Sequence, residues 1–476
     1  MDGGEEEEQE RQRIKRAVKK NFKRKRKLQH RLVKKQDHPQ PRDQIPIPSR
    51  SLPDAEIETP HGESKSHGLH TVSIWNKPLQ YDEASLLMHY LDYVFPYQYP
   101  FSEKGNWSRG WLLWLLSKNG PLYRASMGLA ALHRRSLQGG IESHHLELEF
   151  HSKALRQLQE FIVSFNINEL RPENENLVEA ITCGVALISF EVLRGSTGNW
   201  QPHLCAMASI AIAIHTQYQL PQSPDQLLVP LFENKTTAAL AFHIPVLLWM
   251  DILACIATQK KPKLPYEEWL DPSCNFELVR IMGCHNSVMK AIGNLGALQE
   301  WKVETFNVNP LENEQFWRKM QRIEDELEDC MEAIPIISSE SLFRSDEGCA
   351  SRIFATAALV QLRVLDAQIS PRPSSTKIRR AVSRTMSEIQ VTRGTISPRQ
   401  MVWPICVVGC VADTDQRYFF EHLLENVLSE GSSIFGNCGT VLDIMRNCWK
   451  FQTEQPDIQW DCGSAMKHMG ICALLI

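Results

Sequence analysis

The chain has 476 residues, 43% of them hydrophobic, with 12 Trp and 18 Phe, enough to fill a sizeable core in one large domain or two ordinary ones. Net charge is −4; the first ten residues hold six acids and lack the apolar run of a secretory leader. The 13 cysteines are odd in number and scattered from Cys183 to Cys472 without framework spacing, which excludes a small disulfide scaffold; they read as reduced, mostly buried thiols of an intracellular protein.

Charge is unevenly placed. Residues 11–35 carry fourteen Lys or Arg and no acid, so with the six acids of 1–10 the whole-chain −4 leaves −12 for residues 36–476. Any attraction to polyanions therefore belongs to residues 1–36, a disordered acidic and polybasic arm. Within it Lys23, Arg24, Lys25, Arg26 and Lys27 form one basic cluster, and Lys15, Arg16, Lys19 and Lys20 an upstream one. Such clusters serve nuclear import, or weak, sequence-blind contact with nucleic-acid phosphates. A solvated charge run with no partner is the bland alternative. Residues 37–77, with Pro39, Pro41, Pro46, Pro48, Pro53 and Pro60 among polar residues, form a linker too poor in apolar side chains to repay ordering. The folded body is expected over 78–476.

From there the period is helical. Asp82 is a suitable N-cap for Glu83–Phe95, which Pro96 and Pro100 should end. Helices follow at Arg109–Ser117, Pro121–Leu137 with proline at its first position, Ile141–Phe165, Asn174–Leu193 and Trp200–Tyr218. The stretch Ala238–Ala257 is apolar almost all round and, at about 20 residues, long enough to cross a bilayer. Asp251 near its middle would cost roughly 2.5–3.5 kcal/mol there. His243 and Pro245 add to that cost, so the stretch reads as a helix buried on all sides, kinked or restarted at Pro245, with no membrane involved. Further helices are expected at Met282–Trp301, Glu312–Ala333, Cys349–Ala367, Thr376–Ile389, Arg399–Val411, Gln416–Leu428 and Thr440–Phe451. No alternating strand pattern and no fixed-period repeat is visible, so the fold class is all-α, a large helical array.

Chemical motifs are sparse. P-loop, G-x-G-x-x-G, G-x-S-x-G and H-E-x-x-H are all missing from the sequence. His144, Glu147 and His151 share one helix face at i, i+3 and i+7, but their charge-rich surroundings read as a solvated face. Cys406 and Cys410 are i, i+4 neighbours, read as two small buried residues without a second pair at zinc spacing. Glu324, Asp325, Glu326, Glu328 and Asp329 are similar to the magnesium-binding segment of helical terpene cyclases; lacking a second metal motif, they read as a water-facing surface. A metal-dependent enzyme on a helical scaffold is thus the weakest alternative. No catalytic residue, metal ligand or cofactor is assigned. No C-x2-C pair exists, and no cysteine precedes Cys183, so these residues hold no zinc-cluster DNA reader.

Several stretches, in order, carry a family likeness: ASLLMHYLDYVFPYQYPF, GWLLWLLSKNGPLYRASMGLAALH, PVLLWMDILACIATQKKPKLPYEEWL, MGCHNSVMKAIGNLGALQEWK, SRIFATAALVQLRV, MVWPICVVGC and AMKHMGICALLI. From about Tyr81 onward the chain resembles the regulatory domain of fungal zinc-cluster (Zn2Cys6) transcription factors. That resemblance implies an all-α array and a non-enzymatic role in the nucleus, controlling a pathway or metabolite gene cluster. It departs from the pattern in placing a polybasic arm where the family carries its six cysteines. Two roles follow: a regulator acting directly, or a coregulator that reaches DNA through a partner factor. The partners implied are the transcription machinery or another transcription factor, DNA by weak phosphate contact, and a second copy in a homodimer.

Overall fold

A computed structural model of the chain describes residues 79–102, 110–138, 145–165, 170–195, 197, 199–218, 234–274, 276–305, 312–334, 345–369, 375–392, 394–429 and 436–476. All of them belong to one unit, Val72–Ile476. Their regular elements are all helices, with no strand among the described residues. The expected all-α class is observed.

The first part of the array begins with α1 (Tyr81–His89), which runs through a π-helical turn (Tyr90–Val94) into α2 (Phe95–Gln98). Asp82 lies inside the first turn of α1 and not at its cap, which is Gln80. Pro96 does not end the helix either. The wider π turn just before it, closed by the Phe95 N–H on the Tyr90 carbonyl, shifts the ladder where the proline ring would clash. Then come α3 (Gly110–Ser117), α4 (Pro121–Leu137), α5 (His145–Ser164), α6 (Glu175–Leu193) and α7 (Trp200–Tyr218). Asn174 caps α6 by accepting the N–H groups of Asn176 and Leu177 at 3.0 and 3.3 Å.

The axis of the body is α8 (Lys235–Thr258), four residues wider overall than its apolar stretch. The Asn234 side chain caps its start, and Gln259, left-handed at φ 56°, ends it. Pro245 sits within one continuous helix, so the chain does not restart there. An all-round apolar surface requires cover on every side, and α3, α6 and α7 supply part of it. The rest comes from α10 (Val279–Met282), α11 (Asn286–Thr305) and α18 (Cys462–His468). Three helices, α6, α8 and α13 (Asp346–Ile369), are long and apolar enough to cross a bilayer, but about nine-tenths of each apolar window is already buried against protein.

After α8 the short α9 (Tyr266–Trp269) precedes α10. The single helix expected from Met282 is split, because Gly283 takes a left-handed φ of 72° against the Phe101 ring, where a Cβ would collide. Helices α12 (Glu312–Ala333), α13 and α14 (Ser375–Val391) then pack in succession, with α13 also against α11. A 3-10 turn (Pro398–Met401) leads into α15 (Val402–Cys410), whose Pro404 falls in the first turn where a missing N–H costs nothing. α16 (Thr414–Ser429) and α17 (Cys438–Glu454) complete the layer, α17 packing on α15, α16 and α18. The chain then runs back into the core: Ala473, Leu474 and Leu475 are fully buried.

Candidate functional site

The arm residues Lys15, Arg16, Lys19, Lys20, Lys23, Arg24, Lys25, Arg26 and Lys27 lie outside the described residues, as do the linker and His144. The other singled-out groups are placed, and two of them differ from expectation.

Glu147 and His151 are interior residues and not part of a solvated face. Arg135 on α4 holds Glu147 on α5 through two parallel bonds, Nε to Oε2 at 2.9 Å and a terminal nitrogen to Oε1 at 2.8 Å. His151 stacks on Phe190 of α6 with ring centroids 4.3 Å apart, beside the Glu191 carboxylate at 3.5 Å. Burial lowers the His151 pKa to about 4, so the ring is neutral.

The acidic run of α12 is likewise only partly water-facing. Asp325 and Asp329 are exposed, but Glu324 pairs with Arg363 of α13, and Glu328 takes a two-pronged bond from Arg384 of α14 at 2.6 and 2.9 Å. Asn294 of α11 donates to Glu326 at 3.0 Å. Arg352 of α13 adds a fork onto Glu388 of α14 and a bond to the Met331 carbonyl of α12 at 2.7 Å. These carboxylates tie four helices together.

Cys406 and Cys410 are fully buried, and Cys448 and Cys462 join them, so four thiols meet in the core. Burial, reinforced by the neighbouring thiols, pushes Cys410 well up. All 13 cysteines are free thiols. Among the described residues no cluster of three or more His, Cys, Asp or Glu side chains has metal-binding geometry.

Among the described residues a cavity of about 180 Å³, which the sequence reading did not anticipate, is shaped to receive a molecule. It lies where α2 and the turn after it, the end of α6, the middle of α8, the 3-10 turn, the start of α17 and the last residue converge. Tyr97, Val192, Leu193, Trp249, Met250 and Met282 give it mostly apolar walls. Arg399 is its cation. The guanidinium donates to the Tyr97 hydroxyl at 2.6 Å and lies 5.5 Å from the Tyr97 ring centroid. Tyr97 rests near His133, whose Nδ1 is 3.0 Å from the His89 Nε2. Burial first, then His89 and Arg399, lowers the His133 pKa to about 4. Burial raises the Tyr97 hydroxyl and brings Cys438 up to about 11, Arg399 opposing both. At neutral pH the Arg399 guanidinium therefore stands beside the neutral Tyr97 phenol and Cys438 thiol, with the neutral His133 imidazole packed near Tyr97. The floor is fastened by Asn437, whose amide donates to the Leu474 and Ile476 carbonyls, both at 3.1 Å.

A model of the fungal specific transcription factor domain matches residues 85–476. The chain belongs to that family. It is 27% identical over 417 residues to the trichothecene biosynthesis transcription regulator TRI10 of Trichoderma arundinaceum, covering 81% of this chain and 96% of that protein. It is 28% identical over 430 residues to TRI10 of Fusarium sporotrichioides, covering 84% and 99%. The ustiloxin B cluster transcription factor ustR of Aspergillus flavus is 26% identical over 430 residues, covering 83% of this chain and 72% of that one. No solved structure matches. The resemblance drawn from the sequence motifs is thus confirmed at the level of the family.

Proposed function

We propose that this chain is a nuclear transcriptional regulator of a biosynthetic gene cluster, working through its helical body and not as an enzyme. The observation that carries this reading is the family match across 85–476, in which relatives are named as regulators of trichothecene and ustiloxin B clusters. The basic arm at Lys15, Arg16, Lys19, Lys20, Lys23, Arg24, Lys25, Arg26 and Lys27 serves import and phosphate contact, on the strength of its charge alone. Deleting the gene in its host and sequencing RNA tests the proposal. One contiguous set of biosynthetic genes should change together; unaltered transcripts of every such set would overturn it.

A second reading, a coregulator brought to DNA by a partner factor, is favoured by the lack of any cysteine before Cys183. Lys and Arg clusters neutralise phosphates and position a protein, whereas specificity needs side chains held rigidly against base edges. The purified chain should then bind any duplex about equally. That binding should fall steeply between roughly 50 and 200 mM salt, and deletion of residues 1–36 should remove it. Enrichment of one clear motif from random duplexes by the protein alone would rule this second reading out in favour of direct DNA reading.

A further inference from the structure

We propose that a basic trench between α12 and α14 is a binding site for a small organic molecule bearing a doubly charged phosphate group. The trench is a second cavity, of about 260 Å³, separate from the one beside Arg399. Helix α13 packs against α12 and against α14, and it lines the trench with Thr356, Leu359 and Arg363. From α14 come Lys377, Arg380, Ala381 and Arg384. Both sets follow the i, i+3, i+4, i+7 spacing of a single helix face, so each covers about 10 Å of its helix. Glu328 of α12 completes the lining, and its two-pronged bond from Arg384 joins one wall to the other.

Charge decides what fits. Four of the eight lining residues are cations, against one carboxylate. Arg384 is matched by Glu328, and Arg363 by Glu324 just outside the lining. Lys377 and Arg380 are exposed and pair with no carboxylate among the described residues. The surrounding surface is built otherwise: Arg352 forks onto Glu388, Arg379 bonds Asp413 and Asp415, and Arg446 bonds Glu421 and Glu425. Asp366, the next carboxylate along α13, does not line the trench. Two positive charges are thus left over at one concave place.

A phosphate monoester carries about −1.5 to −2 at neutral pH and balances that excess, with three oxygens to share among several donors. A monoanion leaves one cation unmatched, and a neutral molecule leaves both. Arg363 and Arg384 can join in. Their side chains stay 25% and 40% exposed, and a guanidinium has five N–H groups, more than one carboxylate uses. Leu359 and Ala381 offer an apolar floor to the carbon body of the ligand. This inference does not depend on where the protein resides or which genes it controls.

The test uses the purified full chain in equilibrium dialysis at pH 8 and low salt. Phenyl phosphate, benzenesulfonate and phenol share a ring and differ in charge, from two to one to none. Expected is saturable one-to-one binding of phenyl phosphate, about tenfold tighter than benzenesulfonate, as one further charge-assisted hydrogen bond supplies. Phenol should not bind measurably, and inorganic phosphate, which lacks the ring, should bind more weakly than phenyl phosphate. Lys377→Gln combined with Arg380→Gln should weaken phenyl phosphate binding about tenfold or more, with helical circular dichroism and Tm unchanged because both side chains are exposed. Lys260→Gln combined with Lys467→Gln removes the same charge outside the trench and should leave the affinity as it was. The basic arm is identical in all of these proteins, so it cannot produce the difference. Equal affinity for phenyl phosphate and benzenesulfonate, or for phenyl phosphate and inorganic phosphate, would overturn the proposal. So would an unchanged affinity in the trench variant, or an equal loss in the control variant. Loss of duplex DNA binding by the trench variant would assign the trench to nucleic-acid phosphates and overturn it as well.

Discussion

The Asp251 carboxylate, deep in α8, holds the backbone N–H of Lys263 at 2.6 Å, and its same oxygen takes the N–H of Leu264 at 2.8 Å. The acid that argues against a membrane span is thus the anchor for the turn that follows the helix. That arrangement sets a pH dependence. Burial raises the Asp251 pKa from 3.8 to about 6, against the pull of the two N–H groups and the Lys263 charge. The folded form therefore binds a proton more tightly than the unfolded chain, and stability from this group is present below about pH 4 and lost as pH rises through about 6. Asp251→Asn does not titrate. The difference in unfolding free energy, wild type minus variant, should fall by on the order of 2–3 kcal/mol between pH 4 and pH 7. Urea unfolding of both proteins across that range checks it, and parallel curves would refute the assignment.

Leu248 on the same helix is fully buried. Leu248→Ala should cost about 2–5 kcal/mol in denaturant unfolding, with the spread set by how far the surrounding helices close on the gap. A loss below half a kilocalorie would mean that α8 is not the packed axis described.

The Arg135–Glu147 pair joins α4 to α5 with both side chains under one-tenth exposed. Removing one member strands the other charge, so Glu147→Ala should lose roughly 3–5 kcal/mol. Replacing both, as Arg135→Met with Glu147→Leu, should recover most of that loss, because well-packed apolar groups often match a buried ion pair. A double variant no better than the single one would show that the two charges do not act as a pair.

The arm has its own test. A fluorescent fusion of residues 1–40 should enter the nucleus, and alanines at Lys23, Arg24, Lys25, Arg26 and Lys27 should abolish or strongly weaken entry. Equal nuclear signal in both fusions would assign import to other residues.

Helices whose ends are written locally could be read from the sequence. Pro121 at a first helical position, the apolar period of Trp200–Tyr218 and the amphipathic run of Glu312–Ala333 gave the observed bounds. Where neighbours decide the outcome, local pattern misled. Pro96 passes inside a helix because a π turn upstream makes room, and Gly283 splits one because Phe101 needs the space. Glu147 and His151 look solvated beside HHLELEF, but Arg135 and Phe190 come from other helices and draw them in. The cavity left no trace along the chain at all. Its walls come from at least six separate segments, and the aromatic run Tyr97–Phe101 was the nearest thing to a signal.

The buried tail has a genetic consequence. Trp200 donates its indole N–H to the Cys472 carbonyl at 2.8 Å, Asn437 holds two later carbonyls, and Ala473 to Leu475 fill the core. A ribosome must therefore release these codons' residues before the body can close around them. A premature stop at codon 472 would delete only residues 472–476 and still remove three core side chains with both Asn437 anchors. Such late nonsense alleles should score as nulls, whereas late truncation is harmless in proteins whose last residues lie on the surface.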